Sequence, residues 1–77
     1  MDIVRQIDVF DNLTELLVDE LPLPSFDLDV FKRRFNVNTD DPLIYGAYEI
    51  SQATVDLFPS INFEFGKFSY FLGCYQV

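Results

Sequence analysis

The sequence predicts an α+β fold: a small two-layer structure of two β-hairpins, N- and C-terminal, with two short helices, in the order ββ-α-(β)-α-ββ. Three observations carry this expectation. Apolar residues alternate along 3–10 and again from Ile61, the period of a strand with one buried face. Between them Leu28, Phe31 and Phe35 follow helical spacing, after the strand-ending LPLP of residues 21–24. Nine Phe and four Tyr in 77 residues supply the ring surface for one core, in a chain with no room for two. A single domain, 1–77, is expected.

The first hairpin rests on "IVRQIDVF" (3–10) and "LTELLVDE" (13–20), which flank Asp11-Asn12, two residue types that tolerate a tight turn. A two-residue turn sets Phe10 opposite Leu13 and Asp8 opposite Glu15. Ile3, Arg5, Ile7 and Val9 then face the core with Thr14, Leu16, Val18 and Glu20. Asp2, Val4, Gln6, Asp8 and Phe10 face outward with Leu13, Glu15, Leu17 and Asp19. The Asp8–Glu15 pair costs stability, so if this register holds the carboxylates have a reason to exist beyond folding, and if it does not they are a solvated face. A one-residue slip would remove the clash but turn one strand's side chains over.

The first helix is expected over "SFDLDVFKRRFN" (25–36). Asp27 caps its N-terminus, and Phe26 and Phe31 form a hydrophobic staple across that cap. Acids open the helix and Lys32, Arg33 and Arg34 close it, an order the helix dipole favours and that accounts for the basic triplet. Residues 36–42 are turn-rich, and a short strand follows around Tyr45 and Tyr48. Ser51 caps a second helix, "QATVDLF", which Pro59 stops. In "INFEFGKFSYFLGCYQV" (61–77), Gly66-Lys67 fits a type II′ turn. That turn pairs Phe65 with Phe68, Phe63 with Tyr70 and Ile61 with Leu72 on a core face that also holds Cys74. Phe71, Tyr75 and Val77 fall on the opposite face, where a helix is expected to cover Phe71 and Tyr75, the alternative being exposure for a partner.

Charge narrows the function. Thirteen acids against five bases give −8 at neutral pH, and three of the bases are consecutive. Such a chain repels nucleic acid and anionic membranes and draws basic surfaces toward it. There is no His, and the lone Cys74 sits among apolar neighbours, so nucleophile–base pairs, internal disulfides and Cys/His metal sites are excluded. Asn36, Asn38 and Asp40 match the opening of an EF-hand loop. Asp41 stands where the turn glycine belongs and Ala47 where the bidentate glutamate belongs, so the calcium reading fails. The three glycines are isolated, and no phosphate loop exists. Neither an enzyme nor a cofactor is expected. Acids within the first apolar stretch argue against a signal peptide, and a reducing cytoplasm is the expected compartment.

"DDPLIYGAYEI" (40–50) and "FEFGKFSYFLGCYQ" (63–76) resemble small bacterial domains similar to the immunity proteins encoded beside polymorphic and contact-dependent growth-inhibition toxins. Phe63, Phe65, Tyr70, Phe71, Leu72, Cys74 and Tyr75 carry the resemblance. The family often has Tyr at the place of Phe68 and acids at those of Ser69 and Gly73. The resemblance implies a monomeric inhibitor whose partner is a cognate toxin domain with a basic active site or substrate surface, a nuclease being one such class.

The candidate contacts are Asp8, Glu15 and Asp19 on the outward hairpin face, and Asp40, Asp41, Tyr45, Tyr48 and Glu49 in the loop and strand that follow. Two other readings compete. A nucleic-acid mimic of anti-restriction or anti-CRISPR type uses the same electrostatics on a different target. A structural or oligomerisation domain would use Phe71, Tyr75 and Val77 instead.

Overall fold

The computed structural model describes residues 3–23 and 25–76. Asp2, Pro24 and Val77, placed above on strand faces or at a strand end, lie outside the described residues. The chain forms β1 (Ile3–Asp11), β2 (Leu17–Pro22), α1 (Leu28–Arg34), β3 (Tyr48–Ile50), a 3₁₀ helix (Gln52–Leu57) and β4 (Phe68–Gln76). The four strands make one open antiparallel sheet in the order β2-β1-β4-β3, and both helices lie on one side of it. The expected α+β class holds.

The registers differ from the expected ones for identifiable reasons. Asp11 Oδ1 accepts from the backbone N–H groups of Leu13 and Thr14, at 2.7 and 3.1 Å, and holds the chain in a wider turn. Glu15 closes that turn with φ 62° and an N–H bond of 2.7 Å to the Asp11 carbonyl. Asn12 is used elsewhere: its N–H donates to the Lys67 carbonyl and its side-chain amide to that of Phe65. The loop therefore spans Asn12–Leu16, and Asp8 pairs with Glu20 instead of Glu15. A bulge at Val18 lets Val9 face Asp19 while Phe10 faces Leu17. Relative to the expected register, β2 beyond the bulge is turned over: Glu20 moves to the outward face, and Asp19 to the side of Val9, while Leu17 stays outward.

The C-terminal hairpin also takes another form. Gly66 lacks the positive φ that a II′ turn needs, and the N–H groups of Lys67 and Phe68 both close onto the Glu64 carbonyl at 2.9 Å. Tyr70 Oη accepts the Glu64 N–H at 3.0 Å, engaging a donor that a ladder would have used. Residues 61–65 consequently run as an extended loop instead of a strand, and β4 is flanked by β1 and β3. The expected ring partners still meet: Phe63 and Phe65 pack on Tyr70 with centroids 4.8 and 5.5 Å apart.

One sheet face is closed by Phe31 of α1, Phe58 after the 3₁₀ helix, and Ile44, which cover Ile7, Val9, Ile50, Tyr70 and Leu72. The helix caps are as the sequence implies. Asp27 accepts from Val30 N–H, Phe26 packs against Phe31 with centroids 4.8 Å apart, and Ser51 and Thr54 form a reciprocal capping box. Asn36 ends α1 in the left-handed region (φ 53°), with Val37 N–H reaching back to the Lys32 carbonyl. Arg34 then grips Asp56 through both its oxygens, at 2.6 and 2.9 Å, and joins the two helices.

Phe58 sits among Phe31, Phe35 and Phe63, with centroids 5.7 to 6.4 Å away. Phe58→Ala is expected to cost about 3–5 kcal/mol, comparable to the whole stability of a domain this small. Urea denaturation followed by circular dichroism checks this: the variant should be largely unfolded in buffer, and a midpoint near that of the parent would contradict the one-sided core.

Candidate functional site

The even-numbered side chains of β1 point away from the helices, together with the odd-numbered ones of β4 and β3. Among the described residues no helix packs over them. Phe71 and Tyr75, expected beneath a helix, are therefore half-buried and exposed respectively on an open sheet face. Val4, Phe10, Leu17, Phe71 and Tyr75 form its apolar part, and Phe10 and Phe71 meet edge to face at 5.6 Å. Asp8, Glu20 and Glu49 come from three different strands onto the same face.

Neighbouring carboxylates on one face repel, and the structure contains the device that holds two of them. Gln6 donates its side-chain amide to Asp8 Oδ1 at 2.7 Å and to Glu20 Oε2 at 2.6 Å. The glutamine has no charge of its own, so it bridges the pair without neutralising it. Asp8 can lie flat because its neighbour on β4 is Gly73: a Cβ there would stand 2.6 Å from Asp8 Oδ2. This glycine is needed for close approach and not for its φ.

A shallow cavity of about 480 Å³ opens at one end of this face, lined by Asp8, Phe10, Glu15, Ala47, Ser69 and Phe71 together with Asp11 and Asn12 of the turn. The expected neighbours Asp8 and Glu15 are thus brought to one place, around a cavity instead of across a ladder. Glu49 stands on the same face opposite Phe71. Asp19 does not join them, since it pairs with Val9 on the other side of β2 and borders a separate cleft with Asn62 and Glu64.

Asp40, Asp41, Tyr45 and Tyr48 belong to a second group, in the loop that closes the end of the core. Asp41 organises it. Its Oδ1 accepts the Tyr45 N–H at 2.8 Å, and its Oδ2 accepts the Gly46 N–H at 2.9 Å and the Tyr48 hydroxyl at 2.8 Å. The two backbone N–H bonds, from Tyr45 and then Gly46, hold its pKa below the ordinary carboxylate value. The Tyr48 hydroxyl and the charge of Arg5 add to this, against burial. The same hydroxyl–carboxylate bond raises the pKa of Tyr48. Asp41 and Tyr48 are therefore occupied in shaping the loop, while Asp40 and Tyr45 remain exposed.

Sequence reasoning placed Arg5 on the inward face but missed its use. Its guanidinium donates to the carbonyls of Leu43 and Ile44, and it lies 4.3 Å from the Phe26 ring centroid and 5.6 Å from that of Tyr45. It thereby anchors Ile44, a β-branched residue held at φ 55° and almost wholly buried. The only available signal was a cation on a strand's apolar face, which must find acceptors somewhere. Cys74 is half-buried beside it, its thiol 3.5 Å from the Tyr45 carbonyl.

The cations complete the electrostatics. Arg5 is turned into the loop, Lys32, Arg33 and Arg34 lie on the helix side, and Lys67 sits in a turn 3.9 Å from Glu64. None of the five stands on the open face, so its acids keep their field. Among the described residues no three His, Cys, Asp or Glu side chains gather into a metal-holding group, and no helix is long and apolar enough to cross a membrane.

The sequence profile of a domain of unknown function, DUF7683, matches residues 4–73, nearly the whole of this chain. The chain belongs to the DUF7683 family. Comparison with curated proteins and with solved structures finds no match. The matched span of the DUF7683 domain takes in all of the open face except Tyr75.

Two outcomes follow from this geometry. Gly73→Ala alone should lower stability by about 1 kcal/mol, because the new methyl displaces the Asp8 carboxylate from Gln6. In an Asp8→Ala background the same change should be neutral or raise stability by about 0.5 kcal/mol, since alanine suits a strand better than glycine. Additive effects in that double-mutant cycle would refute the contact.

Asp41, with its pKa depressed in the fold, contributes stability that is complete above the ordinary value of 3.8 and is lost as pH falls through the lower folded value. Thermal melts should therefore show Asp41→Asn least stable relative to the parent above about pH 5, with the gap closing in acid. A gap that stays constant across that range would count against this role.

Proposed function

We propose that this DUF7683 domain is a protein inhibitor of immunity type, which binds a cognate bacterial toxin and covers its basic active site or substrate surface. The observation that carries the reading is the open sheet face, where acids from three strands surround partly exposed rings and no Lys or Arg stands. The resemblance of residues 40–50 and 63–76 to immunity proteins supports the same reading.

An inhibitor of this kind needs a rigid platform, apolar anchors and a field that attracts its target. A sheet supplies the platform, with side chains standing perpendicular to it. Phe10, Phe71 and Tyr75 are the ring types that carry binding energy in the centres of protein interfaces. Glu15, Glu20 and Glu49 are exposed around them, where charge speeds association and excludes partners of the wrong sign. With the basic triplet on the helix side and no Lys or Arg on the open face, a basic partner is drawn to the open face.

The test is capture of the protein encoded by the adjacent gene, with association rates measured at two salt concentrations. Glu15→Gln, Glu20→Gln and Glu49→Gln combined should slow association about 10- to 100-fold at low salt. A control pair off this face, Asp29→Asn with Asp40→Asn, should change it by less than about twofold. An adjacent product that is not toxic, or that is not captured, defeats the proposal.

A further inference from the structure

We infer that the cavity lined by Phe10 and Phe71 is a seat for one arginine side chain of the basic partner, held between an aromatic wall and the carboxylates of Asp8 and Glu15. The inference rests on the reading of this chain as a binder of a basic protein, and it specifies which chemical group anchors the complex.

Charge and shape select the occupant together. The cavity of about 480 Å³ has a wall of two half-buried rings set edge to face at 5.6 Å. An apolar side chain would satisfy the rings but would strip water from the carboxylates of Asp8 and Glu15, with Asp11 beside them, and these gain nothing in return. A lysine ammonium would satisfy the carboxylates but is strongly hydrated and compact, and it stacks poorly on a ring. A guanidinium is planar and weakly hydrated, it stacks on aromatic faces, and it offers several N–H donors in a fixed fork.

Asp8 is suited to receive it. Gln6 holds Oδ1, while Oδ2 lies over the bare Cα of Gly73 with no hydrogen-bond donor on it among the described residues. Glu15 is presented by a backbone turn fixed through Asp11, and its carboxylate has no ion-pair partner among the described residues. The fold already uses the same chemistry internally, since Arg5 lies over the Phe26 ring and donates to two carbonyl oxygens.

The test uses the isolated domain, labelled with nitrogen-15, and small blocked amino acids as probes. N-acetyl-arginine amide at low salt should shift the amides of Phe10, Glu15, Ser69 and Phe71 saturably, with a Kd on the order of 1–10 mM. The citrulline analogue has the same shape without the charge, and it should bind at least about fivefold more weakly, as should the lysine and leucine analogues. Asp8→Asn and Phe71→Leu, both chosen to keep the fold, should each weaken the arginine probe by about three- to tenfold.

Equal shifts with citrulline, tighter binding of the leucine probe, or indifference to both substitutions would overturn the arginine seat. The parent reading is judged separately. A toxin captured normally by Phe71→Leu and Asp8→Asn sinks the seat and spares the inhibitor. Probe binding as expected, with no toxin captured by the parent domain, upholds the seat and sinks the inhibitor.

Discussion

The structure depends on one constraint: its rings close a single face of a four-stranded sheet. Phe31, Phe58 and Ile44 meet Ile7, Val9, Ile50, Tyr70 and Leu72, with Phe35, Phe63, Phe65 and Phe68 packed around that centre. Each buried ring removes about 150–250 Å² from water, which offsets the small volume available to a chain of this length. Two short helices are enough to cover one face. The other face is therefore left to be managed by side-chain chemistry, and Asp8, Glu20 and Glu49 stand on it.

That management is local and polar. Gln6 spans Asp8 and Glu20, Gly73 makes room for Asp8, and Asp11 holds the turn that presents Glu15. A fold seeking only stability would place opposite charges along β1 and β2. Here a neutral amide takes that place, and the bases are spent on helix termini, on Asp56 and on the loop carbonyls beside Ile44. The result is a surface rigid in its backbone and unbalanced in its charge, which suits selective attraction more than self-association.

Much of this was legible in the residues. The caps at Asp27 and Ser51, the staple of Phe26 on Phe31, and the inward face of β1 follow from local chemistry that acts over three or four residues. Registers were harder, because they depend on distant bonds. Asp11-Asn12 reads as a two-residue turn only until Asn12 is seen to serve Lys67 and Phe65, more than fifty positions away. Likewise the alternation of Ile61, Phe63 and Phe65 is genuine, but β1 is the longer partner for β4, and alternating rings can pack without a ladder. The candidate acids split for the same reason. Asp8, Glu15 and Glu49 share one face, whereas Asp41 and Tyr48 were invisible as a structural pair because their bond closes a loop.

β4 is rich in aromatic residues, with four rings in nine residues, and on both sides its backbone is sheltered. On one side the shelter is only the three residues of β3. A strand so rich in rings, if uncovered, would template the addition of like strands from other molecules. The outer edge at β2 is blunted by Pro22, a bulge and two acids, but the seam at β3 has no such protection of its own. Its security comes from the Arg5 clamp on the loop leading into it. Loosening that clamp would free Ile44 and the approach to β3 together, so one internal cation bears on the colloidal integrity of an otherwise anionic molecule.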